Sequence, residues 1–387
     1  MTRRRDSVAS AERYAITALP NAHSHAFQRA LRGVGERIGT TAGGDFWSWR
    51  EQMYRLADSL DPDSIHATAT ATFEEMVATG YGAVGEFHYV HRQTGGEDYD
   101  DPAELAIAVA EAAVAAGLPI VLLPAAYARA GWDGADIAPQ GAQRRFSDPD
   151  VGSFLERVER LRDWASARPL VEVGVAAHSV RACPADWLER IAAYADERDL
   201  VRHVHAAEQR REVDECRAEH GCSPIVLLER TGFLAESASV VHGIHIDDAD
   251  LRCLAGSGAI VVSCPTTEGN LGDGHFPALR YVAAGVRIAI GSDSQVRIDP
   301  FEEARELETG ARRDGETRRG LLAARGDLWA DLVANGAASL GLDAGALPTI
   351  ELDLQHPTLR DVPNDELALA IATCVSADAV AGRVTAS

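Results

Sequence analysis

A (β/α)8 barrel is the fold that this sequence predicts, on two observations. Apolar, strand-like runs alternate with amphipathic helical patterns eight times. Reactive polar residues collect just after those runs, at the strand ends where barrels of this kind carry their sites. The 387 residues would hold two or three average domains, but such a barrel uses that length as one unit. The expected division is a catalytic barrel over 15–325, with 1–14 and 326–387 as terminal segments. Those segments would form a reduced or absent small β-sandwich.

The strands are expected at about 15–20, 82–88, 118–124, 170–177, 200–206, 238–243, 258–263 and 286–291. The first lies in an apolar run, Tyr14 to Leu19, that leads into Pro20-Asn21-Ala22-His23-Ser24-His25-Ala26-Phe27-Gln28-Arg29. Residues i and i+2 of an extended segment face the same way, so His23 and His25 project together, half of a tetrahedral metal site. A helix then begins at Pro62 and ends before Gly80, with Pro at its start and Gly past its end. Others fall at 102–116, 150–167, 184–198, 210–230, 247–256, 276–284 and 300–313. The span 129–149 has little periodicity and reads as a loop over the barrel mouth. Helical patterning continues to Leu340, and the tail from Gly341 is rich in Ala and Asp with weak strand character.

Composition excludes several functions. A net charge of −22 argues against nucleic acid or an anionic membrane as partner, and an anionic substrate would need local arginines. The chain contains no lysine, so Schiff-base, pyridoxal-anchoring and Walker chemistry are excluded, as is a metal pair bridged by a carbamylated lysine. The six cysteines form no CxxC pair and read as free thiols. Arg3-Arg4-Arg5 is followed by no apolar signal core, and no window approaches a membrane span, so a cytoplasmic protein is expected.

Strand 1 ends in His23 and His25, strand 4 in His178 and Arg181, and strand 5 in His203-Val204-His205 with Glu208 beyond. Strand 6 ends in His242 and strand 8 in Ser292-Asp293-Ser294. One histidine at such a place is more often structural. Three histidines and an aspartate recurring at strands 1, 5 and 8 point to a metal centre. On spacing alone His203 competes with His205, since both lie on one strand face; nearness to the strand's C-terminal end favours His205.

The motifs are finer than this. Asn21-Ala-His-Ser-His-Ala-Phe-Gln-Arg29, Trp47-Ser-Trp-Arg-Glu-Gln-Met-Tyr54, Glu86-Phe-His-Tyr-Val-His91, His178-Ser-Val-Arg181, Cys264-Pro-Thr-Thr-Glu-Gly-Asn-Leu-Gly-Asp-Gly274 and Gly291-Ser-Asp-Ser294 are the relevant stretches. Over about 15–345 the sequence resembles the mononuclear deaminases of the amidohydrolase superfamily, and among them the formimidoylglutamate deiminases. That resemblance implies hydrolysis of N-formimino-L-glutamate to N-formyl-L-glutamate and ammonia, a step of histidine degradation. It implies one divalent metal ion, zinc before iron, held by His23, His25, His205 and Asp293. Glu208 and His242 would be the acid/base pair, with Asp293 taking the proton from water. Gln28, Arg50, Tyr89, His178 and Arg181 would hold the substrate, and a homodimer would be expected.

Other readings stay beside it. Glu208 can be a helix-start charge, His242 a core histidine and Arg50 a solvated surface residue. Cys264 before Pro265 reads as packing. A superfamily deaminase acting on a heterocyclic amine is the alternative enzyme, though a neutral ring needs no paired cations. A non-catalytic relative is the alternative class. Two departures from the family pattern stand out: Gln295 takes the place of a usual His, and the leader before strand 1 is short.

Overall fold

The computed structural model describes residues 13–37 and 46–384. Eight parallel staves form the barrel: β2 (Leu19–Ser24), β3 (Tyr81–His88), β4 (Ile120–Ala126), β5 (Val171–Val173 and Val175–Ser179), β6 (Arg202–Ala206), β7 (Ala238–His242), β8 (Ile260–Ser263) and β9 (Arg287–Ile290). β5 is broken at Gly174, where a Cβ would lie 2.7–2.8 Å from Leu123 and Val201. The seam closes between β2 and β9 through a bridge from Ser24 to Asp293: the Asp293 amide donates to the His23 carbonyl at 3.0 Å, and the His25 amide to the Asp293 carbonyl at 3.0 Å. The first and last staves are thereby tied at the residues that carry the chemistry.

Both ends of the described chain meet outside the barrel. β1 (Arg13–Thr17), β10 (Thr349–Asp353) and β11 (Val380–Val384) make a three-stranded antiparallel sheet. The expected first strand at 15–20 therefore straddles two strands, because the chain passes at Ala18 from this sheet into the barrel.

Helices follow the staves on the outer face. α1 (Phe46–Ser59) and α2 (Pro62–Thr79) lie between β2 and β3. The ends of α2 are set by its sequence. Asp61 and Ser64 form a capping box with Pro62 at the first turn, and Gly80 closes the helix at φ +106°, a conformation that favours glycine. Next come α3 (Glu104–Ala115), α4 (Val151–Ala165), α5 (Ala185–Arg198), α6 (Arg210–His220) and α7 (Pro224–Arg230). The single helix expected over 210–230 is two, since Gly221 ends one in the left-handed region and the Ser223 side chain caps the next ahead of Pro224. The remaining helices are α8 (Asp248–Ser257), α9 (Pro265–Leu271), α10 (Ala278–Ala283), α11 (Pro300–Asp314), α12 (Leu321–Arg325) and α13 (Leu328–Ser339), then a short α14 (Leu367–Ile371).

The main core fills the layer between staves and helices, and a smaller one (Ala22, Val241, Ile260, Val262, Cys264, Ala289) lies at the barrel axis. The end of α13 meets the barrel's lower layer, where Ser339 Oγ lies 2.8 Å from Ser239 Oγ. No helix among the described residues is long and apolar enough to cross a membrane.

Candidate active site

The strand ends bring the sequence-selected residues together. Nε2 of His23 lies 3.1 Å from Nε2 of His205 and 3.5 Å from Oδ1 of Asp293, and Nε2 of His25 lies 3.4 Å from the same oxygen. One nitrogen from each of His23, His25 and His205 falls within 4.8 Å of the others. His203 faces the same interior one layer lower and bonds the Ser339 carbonyl at 2.9 Å, which leaves His205 for the site.

Hydrogen bonds behind two of these rings fix their tautomers. Nδ1 of His25 donates to the Phe87 carbonyl at 2.7 Å, and Nδ1 of His205 to the His178 carbonyl at 2.8 Å. Burial lowers the pKa of all three histidines, that of His23 to about 3, so the rings are neutral. Nε2 of His25 and of His205 therefore present lone pairs, not protons, beside a carboxylate. Burial pushes the Asp293 carboxyl up, but a hydrogen bond from His23 and the field of the cationic His242 hold it well below the usual range. Buried lone pairs and a carboxylate converging on one point repel unless a cation stands between them. The donor set, three imidazoles and a carboxylate with backbone carbonyls behind two of the rings, fits a divalent metal ion. A second grouping, His242, Cys264 and Asp293, shares Asp293. Burial and the nearby carboxylates push the Cys264 thiol well up.

Beside this centre Nε2 of His242 lies 3.6 Å from Oε1 of Glu208 and 3.8 Å from Oδ2 of Asp293. Its Nδ1 lies 3.4 Å from Oε1 of Glu268. Burial opposes the His242 charge, but Glu208, Glu268 and Asp293 outweigh it and hold its pKa above the usual value. Burial pushes the Glu208 carboxyl up to about 7. Glu212 receives the backbone N–H groups of Ala207 and Glu208 at 3.2 and 3.1 Å and so sets the turn that carries Glu208. Ala207, His242, Asp293 and Gln295 all have positive φ, at 55°, 72°, 49° and 62°. Such non-glycine strain clusters where a site over-determines its backbone.

A pocket opens over the centre. Its walls include every other sequence-selected residue: Gln28, Arg50, Tyr89, His178 and Arg181. Nε2 of Gln28 donates to Tyr89 Oη at 2.8 Å. Sequence reasoning missed the aromatic wall of Phe46, Trp49, Tyr127 and Phe146, which reads as core when only hydrophobicity is visible. It also gave no role to Glu268, although the residue stands inside a motif it singled out. Glu268 receives the Cys264 N–H at 2.7 Å and the Ser263 hydroxyl at 2.8 Å, which fixes it beneath His242.

The seam makes one residue critical. A Cβ on Gly291 would sit 2.6 Å from the His23 carbonyl oxygen and 2.8 Å from His23 Cβ. Gly291→Ala must push β2 and β9 apart, so purified variant protein is expected to lose most of its bound metal. Metal content equal to that of the unmodified protein would contradict this view of the seam.

Residues 14–348 match the family model described as "Amidohydrolase family". The chain is 40% identical over 365 residues to a formimidoylglutamate deiminase of Pseudomonas aeruginosa, covering 91% of this chain and 79% of that protein. Among solved structures, an amidohydrolase from Brucella melitensis is 32% identical with a TM-score of 0.86, over 95% of this chain and 84% of that one. An adenosine deaminase from Xanthomonas campestris with bound zinc, 21% identical, shares the fold with a TM-score of 0.80, over 97% and 79% of the two chains.

Proposed function

The chain belongs to the amidohydrolase family, and on that premise we propose that it hydrolyses N-formimino-L-glutamate to N-formyl-L-glutamate and ammonia. The observation that carries the substrate is a pair of guanidinium groups. Arg50 and Arg181 both line the pocket, and neither makes an ion-pair contact among the described residues. Nη1 of Arg181 is buried with no hydrogen-bond partner. In a chain of net charge −22, two cations without an ion-pair partner among the described residues suit a ligand that brings carboxylates. A neutral ring, the alternative substrate, would leave them unsatisfied.

His23, His25, His205 and Asp293 would hold one divalent ion. Zinc suits this donor set, and the zinc-bound neighbour of the same fold supports that choice. When bound, such an ion supplies Lewis acidity that brings the pKa of water from about 16 towards ~7. Asp293 is set beside the attacking water to take its proton. Glu208, with a carboxyl raised towards neutrality, delivers its proton to the imino nitrogen; the proton taken by Asp293 then passes to the resulting amine, and the remaining hydroxyl proton returns to Glu208 as the amine departs. His242, whose charge Glu268 and Asp293 support while Glu208 carries its proton, stabilises the negative charge that develops on the attacking oxygen. Arg181 and Arg50 take the carboxylates, while Gln28, Tyr89 and His178 shape the space for the amidine. The C–N bond breaks, ammonia leaves, and the carbon retains the water oxygen as a formyl group.

Ammonia release from a panel of a formimino-dicarboxylate, an uncharged formamidine and heterocyclic amines tests the substrate. Metal analysis of the same sample is expected to give one ion per chain, and two tightly bound ions would contradict a single centre.

A further inference from the structure

A second chamber adjoins the pocket. It is open to solvent, its walls carry Trp47, Trp132 and Arg211 together with the carboxylates Asp133 and Glu215, and it shares Arg50 and Arg181 with the inner pocket as a common wall, so three guanidinium groups face two acids. Three guanidinium groups gather on the indole of Trp47: Arg50 at 4.3 Å, Arg211 at 4.5 Å and Arg181 at 5.7 Å from the ring centre. Cation–π attraction offsets part of their mutual repulsion. Burial, together with the fields of Arg181 and Arg211, still pulls the Arg50 pKa down.

Arg211 is also placed against local preference. It stands in the first turn of α6, where the helix dipole disfavours a cation. Among the described residues its acid partner is Glu215 a turn later, at 2.6 Å, and its side chain remains 62% exposed. Breaking a local rule while adding a third like charge is what a site for an anion requires.

We propose that this outer chamber is a docking subsite for carboxylates, with Arg211 and the face of Trp47 as its recognition groups, from which a dicarboxylate passes to Arg50 and Arg181. The inference rests on the proposed function only for the identity of the final substrate. Arg211 lies away from the reacting atoms, so it contributes binding that is the same in ground and transition states.

The test uses metal-loaded protein and two readouts: calorimetric Kd for glutarate, a dianion without the reacting group, and KM for N-formimino-L-glutamate. Arg211→Glu should weaken both by roughly tenfold or more at low ionic strength, with kcat unchanged. Arg211→Lys, which keeps the charge, should stay within about twofold of the unmodified protein, and the Arg211→Glu deficit should shrink as salt is raised. KM for an uncharged formamidine should not move. Unaltered glutarate binding in Arg211→Glu, or a fall in kcat with no change in KM, overturns the proposal. If glutarate responds as expected but no protein turns over N-formimino-L-glutamate, the subsite stands and the substrate assignment falls.

Discussion

Replacing Glu208 by Gln is expected to lower kcat by about 10²- to 10⁴-fold while bound metal stays at one ion per chain. The amide keeps the size of the side chain and removes the proton that it shuttles. Glu208 lies outside the ligand set, with its Oε1 3.6 Å from Nε2 of His242. A Gln variant that turns over normally would reduce Glu208 to a charge at the start of α6. The pH profile offers an independent check. A carboxyl pushed up to about 7 by burial is protonated below that value and loses its proton above it. Activity that needs the acid form should therefore decline as pH rises through about 7. A cation bound beside Asp293 can only lower that limit. A rate that keeps rising well past pH 8 would contradict the role.

Arg181→Met is expected to cut kcat/KM for N-formimino-L-glutamate by roughly 10- to 150-fold, from ~1.5–3 kcal/mol for a hydrogen bond to a charged group at ~1.4 kcal/mol per decade. Burial opposes the Arg181 charge, and the fields of Glu212 and Glu208 outweigh it. The group is therefore charged but has an unpartnered Nη1 to offer. Metal content should be unchanged, and hydrolysis of an uncharged formamidine should change little. An equal loss on both substrates would make Arg181 a support for the fold rather than for the carboxylate.

Much of this was legible in the sequence because the barrel converts local pattern into position. Alternation along β2 puts His23 and His25 side by side, and parallel staves deliver His205, His242 and Asp293 to the same end. His203 and His205 show the limit of that reasoning. Both face inward; nearness to the strand's end favours His205, and Ser339, 136 residues away, is what holds His203 in the lower layer. Non-local pairing defeated the reading of the N-terminal apolar run in the same way: β1 and β2 look continuous, but β1 pairs with Thr349–Asp353. The break between α6 and α7 was written in Gly221, Ser223 and Pro224, yet continuing apolar periodicity masked it. Tyr127 and Phe146 could not be told from core residues, because burial at a pocket wall and burial in a core select the same side chains.

The claim that two unpaired arginines select a dicarboxylate amidine is tested most directly by one assay. Metal-analysed protein is incubated with N-formimino-L-glutamate, and ammonia and N-formyl-L-glutamate are followed together. The two products are expected in equal amounts, in proportion to bound metal, with no ammonia from neutral heterocyclic amines under the same conditions. Ammonia from a heterocyclic amine and none from N-formimino-L-glutamate would contradict it.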